Sequence, residues 1–127
     1  ALHSTQRLLG TDIEDPLARQ RLANWQHAHR EFGPFPIDVY RSESGDSFLA
    51  IDYRLTLATI KNSAIRDRQT LLACCGVPAT ITHVGNQELW SYGPHWSAVI
   101  VGPAVTEIWV NAKPESPQNN RYSSSKQ

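Results

Sequence analysis

Methionine is absent from this 127-residue chain, cysteine occurs only as the adjacent pair Cys74-Cys75, and neither sign of charge is in excess: twelve Lys and Arg stand against twelve Asp and Glu. Each shortage excludes something. Zero net charge removes the strong positive field that gathers nucleic acid or an anionic membrane surface, and from Cys74 to Asn111 there is no Lys or Arg at all. No apolar run approaches the roughly 20 residues that cross a bilayer as a helix, and the opening Ala-Leu-His-Ser-Thr lacks the charged and hydrophobic regions of a signal peptide. With no methionine at position 1, a signal peptide or lipid anchor removed ahead of Ala1 would leave no trace. Adjacent cysteines cannot close an ordinary disulfide, so no cross-loop staple is expected, and oxidising and reducing compartments both fit. A Gly-rich phosphate loop is missing too, since Gly33, Gly45, Gly76, Gly85, Gly93 and Gly102 each stand alone at a boundary.

What is present is periodicity. Residues 1–14 show none that is sustained, although Leu8-Leu9 can pack on a domain. Asp15-Pro16 offers an N-cap followed by proline at the first helical position. Leu22, Trp25, His29 and Phe32 then recur at helical spacing, which predicts an amphipathic helix of about four turns ended by Gly33-Pro34 and Pro36. Ile37–Arg41 alternates as a strand, residues 42–46 are turn chemistry, and Ser47–Thr59 carries the clearest period of two in the chain. Leu49, Ile51, Tyr53, Leu55 and Leu57 are expected on its core face, with Asp52, Arg54 and Thr56 on a wet one. Asn62 or Ser63 can cap a second, short helix containing Ile65, Gln69, Leu72 and Cys75, stopped by Gly76 and Pro78. Thr80–Val84, Glu88–Tyr92, Trp96–Val101 and Val105–Val110 follow as strands separated by Gly-containing turns.

The predicted fold class is therefore α+β: helix, β-hairpin, helix, then a three- to four-stranded antiparallel meander packed on the helices. One domain is expected over 15–111, preceded by an N-terminal extension (1–14) and followed by a flexible polar tail (112–127). No internal repeat is convincing, although the order helix, strands, helix, strands hints at two half-domains.

Chemistry-bearing residues are few. A thiolate at Cys75 or Cys74 with His95 as its base would make a small cysteine hydrolase, and His95-Trp-Ser-Ala-Val-Ile-Val-Gly looks like the histidine strand of papain-like enzymes. Against this, the cysteines close a helix, where the dipole raises a thiol pKa, whereas such nucleophiles open one. His27 and His29, two apart on the predicted helix, point about 200° away from each other and cannot clasp one metal, so no metal site is expected. His83 can pair with Glu88 across the Gly85-Asn86 turn. Neither a cofactor nor nucleic-acid stacking is expected. Four tryptophans are many for this length, and three of them, Trp90, Trp96 and Trp109, fall in the meander with Tyr92, where aromatics serve either as core or as a recognition face.

Arg66–Leu72, Cys75-Gly76-Val77-Pro78, Gly85-Asn86, Trp90-Ser91-Tyr92, Val99–Val101 and Val105–Ile108 together resemble the small outer-membrane assembly lipoproteins of the BamE (SmpA/OmlA) type and the related fold of β-lactamase inhibitor proteins. The likeness covers about 45 of the 127 residues. Here a strand hairpin stands between the two helices, and no lipidated cysteine stands at the N-terminus. The resemblance implies a periplasmic or envelope-associated protein, a peripheral subunit of a bacterial assembly or secretion complex, that binds other proteins through its sheet without catalysis. Trp90, Tyr92, Trp96, Asp52 and Arg54 are the candidate binding residues. The alternatives from other classes are the Cys75/His95 hydrolase and an inhibitor or immunity-type protein, and a cytoplasmic setting stays open.

Overall fold

Every period-two run in the sequence finds its partners in one sheet. The computed structural model describes residues 2–61 and 64–112. Its elements in order are α1 (Leu2–Leu8), α2 (Pro16–Arg21), β1 (Gln26–Phe32), β2 (Phe35–Arg41), β3 (Ser47–Ile51), β4 (Arg54–Ile60), α3 (Arg68–Cys75), β5 (Thr80–Val84), β6 (Gln87–Ser91), β7 (Trp96–Val101) and β8 (Ala104–Asn111). All eight strands join antiparallel in the order β1-β2-β3-β4-β8-β7-β6-β5. The expected α+β layout, with a hairpin between helices and a separate three- to four-stranded meander, is thus corrected to an eight-stranded antiparallel sheet carrying small helices.

Two local readings caused that error. Asp15 does cap a helix, accepting from the Leu17 amide, but the helix stops at Arg21. The residues after it zip against β2 instead, with Phe32 facing Phe35 across a two-residue turn whose Gly33 has a positive φ of 57°. The long Ser47–Thr59 run is two strands, because Asp52 and Tyr53 both take positive φ (53° and 66°) and close a hairpin between Ile51 and Arg54. The second helix is capped by Asp67, which accepts from the Thr70 amide and is held below the usual carboxylate range chiefly by that bond. The expected caps Asn62 and Ser63, and the expected tail beyond Ala112, lie outside the described residues.

The two halves repeat one another. Each has a short helix, α2 or α3, followed by a four-stranded meander, with α1 additional to the first half, and each has a bulge in its last strand. Leu49 pairs with Leu57 but Ala50 with Leu55, leaving Thr56 extra; Val99 pairs with Glu107 but Ile100 with Val105, leaving Thr106 extra. Ahead of each helix the chain also bonds to the start of that strand in the same way. The Ile13 and Leu55 amides donate to Tyr53 and Thr11 carbonyls, as the Arg68 and Val105 amides donate to Pro103 and Arg66. The halves meet where β4 pairs with β8, Ala58 against Val110.

One side of the sheet is covered. Leu8, Ile13, Ala18 and Leu22 pack on Phe48, Leu55, Ala58 and Val110, while Leu71 of α3 packs on Trp90, Ala98 and Ile100. Leu8 and Ile13, in the segment expected as an extension, are thus core residues.

Candidate functional site

Residues paired directly across antiparallel strands point to the same side, so the registers define the opposite, uncovered face row by row. One row runs Ala28, Val39, Leu49, Leu57 across β1 to β4. Beside it lie Ile37 and Ile51, with Phe32 and Phe35 at the hairpin tip, 65% and 49% exposed. In the second half Val99, Leu89 and Val101 share this side, and Trp109 faces Thr59 and Ser97 at its middle. No described helix contributes to this face; the core residues that touch the helices are those of opposite parity. Arg30 and Arg41 make its β1–β2 end basic and, with Ala28 and Val39, line a groove of about 510 Å³, and Glu107 accepts the Trp109 indole N–H at 2.6 Å.

The Asp52-Tyr53 turn and the bulge at Thr56 together explain why the face assignment expected for Ser47–Thr59 is wrong: the turn pairs Ile51 with Arg54 and so puts Leu55 on the side opposite Leu49 and Ile51. Leu55 is core, but the extra residue reverses parity, so Leu57, with Leu49 and Ile51, looks out of the uncovered side, while Phe48, Ala50, Ala58 and Ile60 look in. Tyr53 sits in the turn. The strands are therefore apolar on both sides, Phe48-Leu49-Ala50-Ile51 most plainly.

The candidate residues scatter accordingly. Trp90 is buried on the helix side; its indole N–H donates to Glu88 at 2.8 Å and Arg68 lies over its ring. That bond first, then neighbouring Arg68, holds Glu88 below the usual carboxylate range. Tyr92 and Trp96 stack at 4.5 Å, also on the helix side, and the Tyr92 hydroxyl donates to the Gly76 carbonyl. Burial pushes that phenol up. Asp52 is exposed in the hairpin turn, and Arg54 opens β4 next to the Asp12 bridge.

Cys74 and Cys75 are joined to each other in a disulfide, against the expectation that adjacent cysteines stay apart. An eight-membered ring accommodates them because their Cα atoms need be only 3.8 Å apart. The bridge closes no loop and removes both thiolates, so the hydrolase alternative has no nucleophile in this form, and His95, whose Nδ1 is buried without a hydrogen-bond partner among the described residues, has nothing to activate. Iodoacetamide should leave the untreated protein unlabelled and modify two sulfurs only after reduction; labelling without reductant would contradict the bridge.

Sequence reading missed one cluster. His27 and His29 lie on a strand, where spacing of two places them on the same side, not opposite sides. Both reach one oxygen of buried Asp38, at 2.7 and 2.9 Å, and His29 Nε2 meets Glu31 at 2.6 Å. His27 also stacks on Tyr40, whose phenol is raised mainly by burial and then by Asp38 and Glu14. Alternation of His27, His29 and Glu31 was the available signal. Among the described residues no group of three or more His, Cys, Asp or Glu side chains is arranged to hold a metal ion, and no described helix is long and apolar enough to cross a membrane. Compared with protein-family models, curated proteins and solved structures, the chain matches none.

Proposed function

We propose that this protein is a non-enzymatic interaction module that binds a partner protein through the uncovered face of its sheet. The observation that carries this reading is the two-sided apolar character of the strands. Continuous apolar runs such as Phe48–Ile51 and Ala98–Val101 belong to strands covered on both faces, yet the described helices cover one. Surfaces with large contiguous apolar area on soluble proteins mark interaction sites, and Trp109, 36% exposed, with Leu57 on the same side supplies the kind of aromatic centre that dominates interface energies. The resemblance over residues 63–110 points the same way and supplies the setting, a peripheral subunit of a bacterial envelope or secretion assembly.

The test starts from a partner captured by the wild-type protein from the native cell's envelope fraction and then purified. Trp109→Ala and Leu49→Asp should each weaken its binding by about thirtyfold or more, as loss of a hot-spot residue does, with the circular dichroism of the folded domain retained and with Trp109→Ala losing about 1 kcal/mol of stability or less. Gln20→Asp on exposed α2 should bind as wild type does. Unchanged affinity in both face variants would refute the reading. If the captured partner is an enzyme that loses activity on binding, the module is an inhibitor; a multi-subunit partner makes it an assembly component.

A further inference from the structure

The two edges of the sheet are not equivalent. β1 is studded with charge and polar pairs, since His27, His29, Arg30 and Glu31 all lie on it, and inward-paired charged residues are a standard guard against edge-to-edge association. β5 reads Thr80-Ile81-Thr82-His83-Val84, is exposed along its whole length, has no proline, Lys, Arg or carboxylate, contains no bulge, and pairs only with β6 among the described residues. Its own Val84 and Ile81 are 63% and 46% exposed, and Val77, three residues ahead of the strand, is 82% exposed. β5 itself carries no Lys, Arg, Asp or Glu to set like charges against each other at such an edge.

The geometry points to a homodimer formed by antiparallel pairing of β5 with β5 of a second copy. The strand is self-complementary about Thr82. A two-fold axis there sets Thr82 against its own counterpart, Ile81 against His83, and Thr80 against Val84. Facing residues in an antiparallel pair share a side, and in each of these pairs both members do: Ile81 and His83 stand on the helix side with Trp90 and Glu88, and Thr80, Thr82 and Val84 on the uncovered side. Any axis that paired odd-numbered with even-numbered positions would set residues of opposite sides against each other, and among the rest the one at Thr82 matches all five residues. The chain already joins its two half-repeats by antiparallel strand pairing at β4 and β8, so the dimer would extend one continuous sheet. It would also set the two uncovered faces side by side. An isologous contact of this kind closes on itself and stops at two.

A five-residue ladder with a few apolar flanks falls short of the roughly 1,200 Å² of a standard interface, so the association is weak. Sedimentation velocity on the full chain from about 1 μM to about 1 mM, the range of such affinities, should show monomer converting to dimer. Thr82→Lys and Thr82→Glu each place like charges in direct opposition on the axis, and each alone should weaken self-association about tenfold or more. Mixed in equal amounts, the two variants should pair again, because Lys then faces Glu. Gln20→Lys, adding the same charge far from the edge, should dimerise as wild type. The proposal is overturned by a wild type that stays monomeric at about 1 mM, by a Thr82→Lys protein that dimerises normally, or by folded single variants that fail to recombine.

Discussion

Replacing Trp90 by alanine should remove about 3–5 kcal/mol of unfolding free energy, read as a shift of the urea midpoint at constant m. The second cluster under α3 is small, with Leu71, Trp90, Ala98 and Ile100 its buried members, and the indole is by far the largest of them. Ala98 directly across the strand pair leaves room for the ring and nothing that could swing in to fill its place. The substitution also strips Glu88 of the donor that holds its carboxyl low, so that group should titrate nearer the ordinary carboxylate value. Trp109→Ala makes the contrast. Its ring is 36% exposed and packs on the uncovered side, so stability should fall by about 1 kcal/mol or less. Equal costs at the two positions would mean that the assignment of covered and uncovered faces is wrong.

Those two tryptophans also show where sequence reading stops. Glu88-Leu-Trp90 and Glu107-Ile-Trp109 are the same pattern, and in both the indole N–H donates to the glutamate two residues back. Nothing local says which lies under a helix, because that depends on strand order. The four strands after Gly76 were legible from alternation and turn residues alone, since each partners its sequence neighbour. The first half was not. The spacing of Leu22, Trp25, His29 and Phe32 fits a helix as well as chance allows, and the pairing with β2 that overrides it is set by the Gly33-Pro34 turn and the register beyond it. Asp52-Tyr53 is a turn with no glycine to announce it, and the Thr56 bulge reverses parity through a single unpaired residue. The repeat of the two halves lives in hydrogen bonds, bulges and element order, with little residue identity to reveal it. The uncovered face followed from the same failure: placing Leu49, Ile51 and Leu57 in the core hid it.

Asp38→Asn should destabilise the protein by about 2 kcal/mol near pH 6, the range for a hydrogen bond to a charged group, and should flatten its pH dependence. Asp38 is 2% exposed, so its carboxylate depends on the imidazoles for solvation, and its second oxygen has no hydrogen-bond partner among the described residues. His29 has a carboxylate at each ring nitrogen, Asp38 at Nδ1 and Glu31 at Nε2. A carboxylate can only accept, so both contacts are satisfied together when both nitrogens donate, as they do in the imidazolium. Its pKa is accordingly raised above the ordinary 6.5, by Asp38 first and Glu31 second. Because the folded value is the higher one, the stabilisation is complete below the unfolded pKa and is lost as pH climbs through the folded pKa. Unfolding free energy should therefore decline from about pH 6.5 upward. His29→Gln should abolish that part of the slope, while Asp38→Asn should reduce it and lower the His29 titration midpoint seen by NMR, with Glu31 supporting what remains. Stability that rises over the same window, or a His29 midpoint unmoved by Asp38→Asn, would mean that the two charges do not meet in solution.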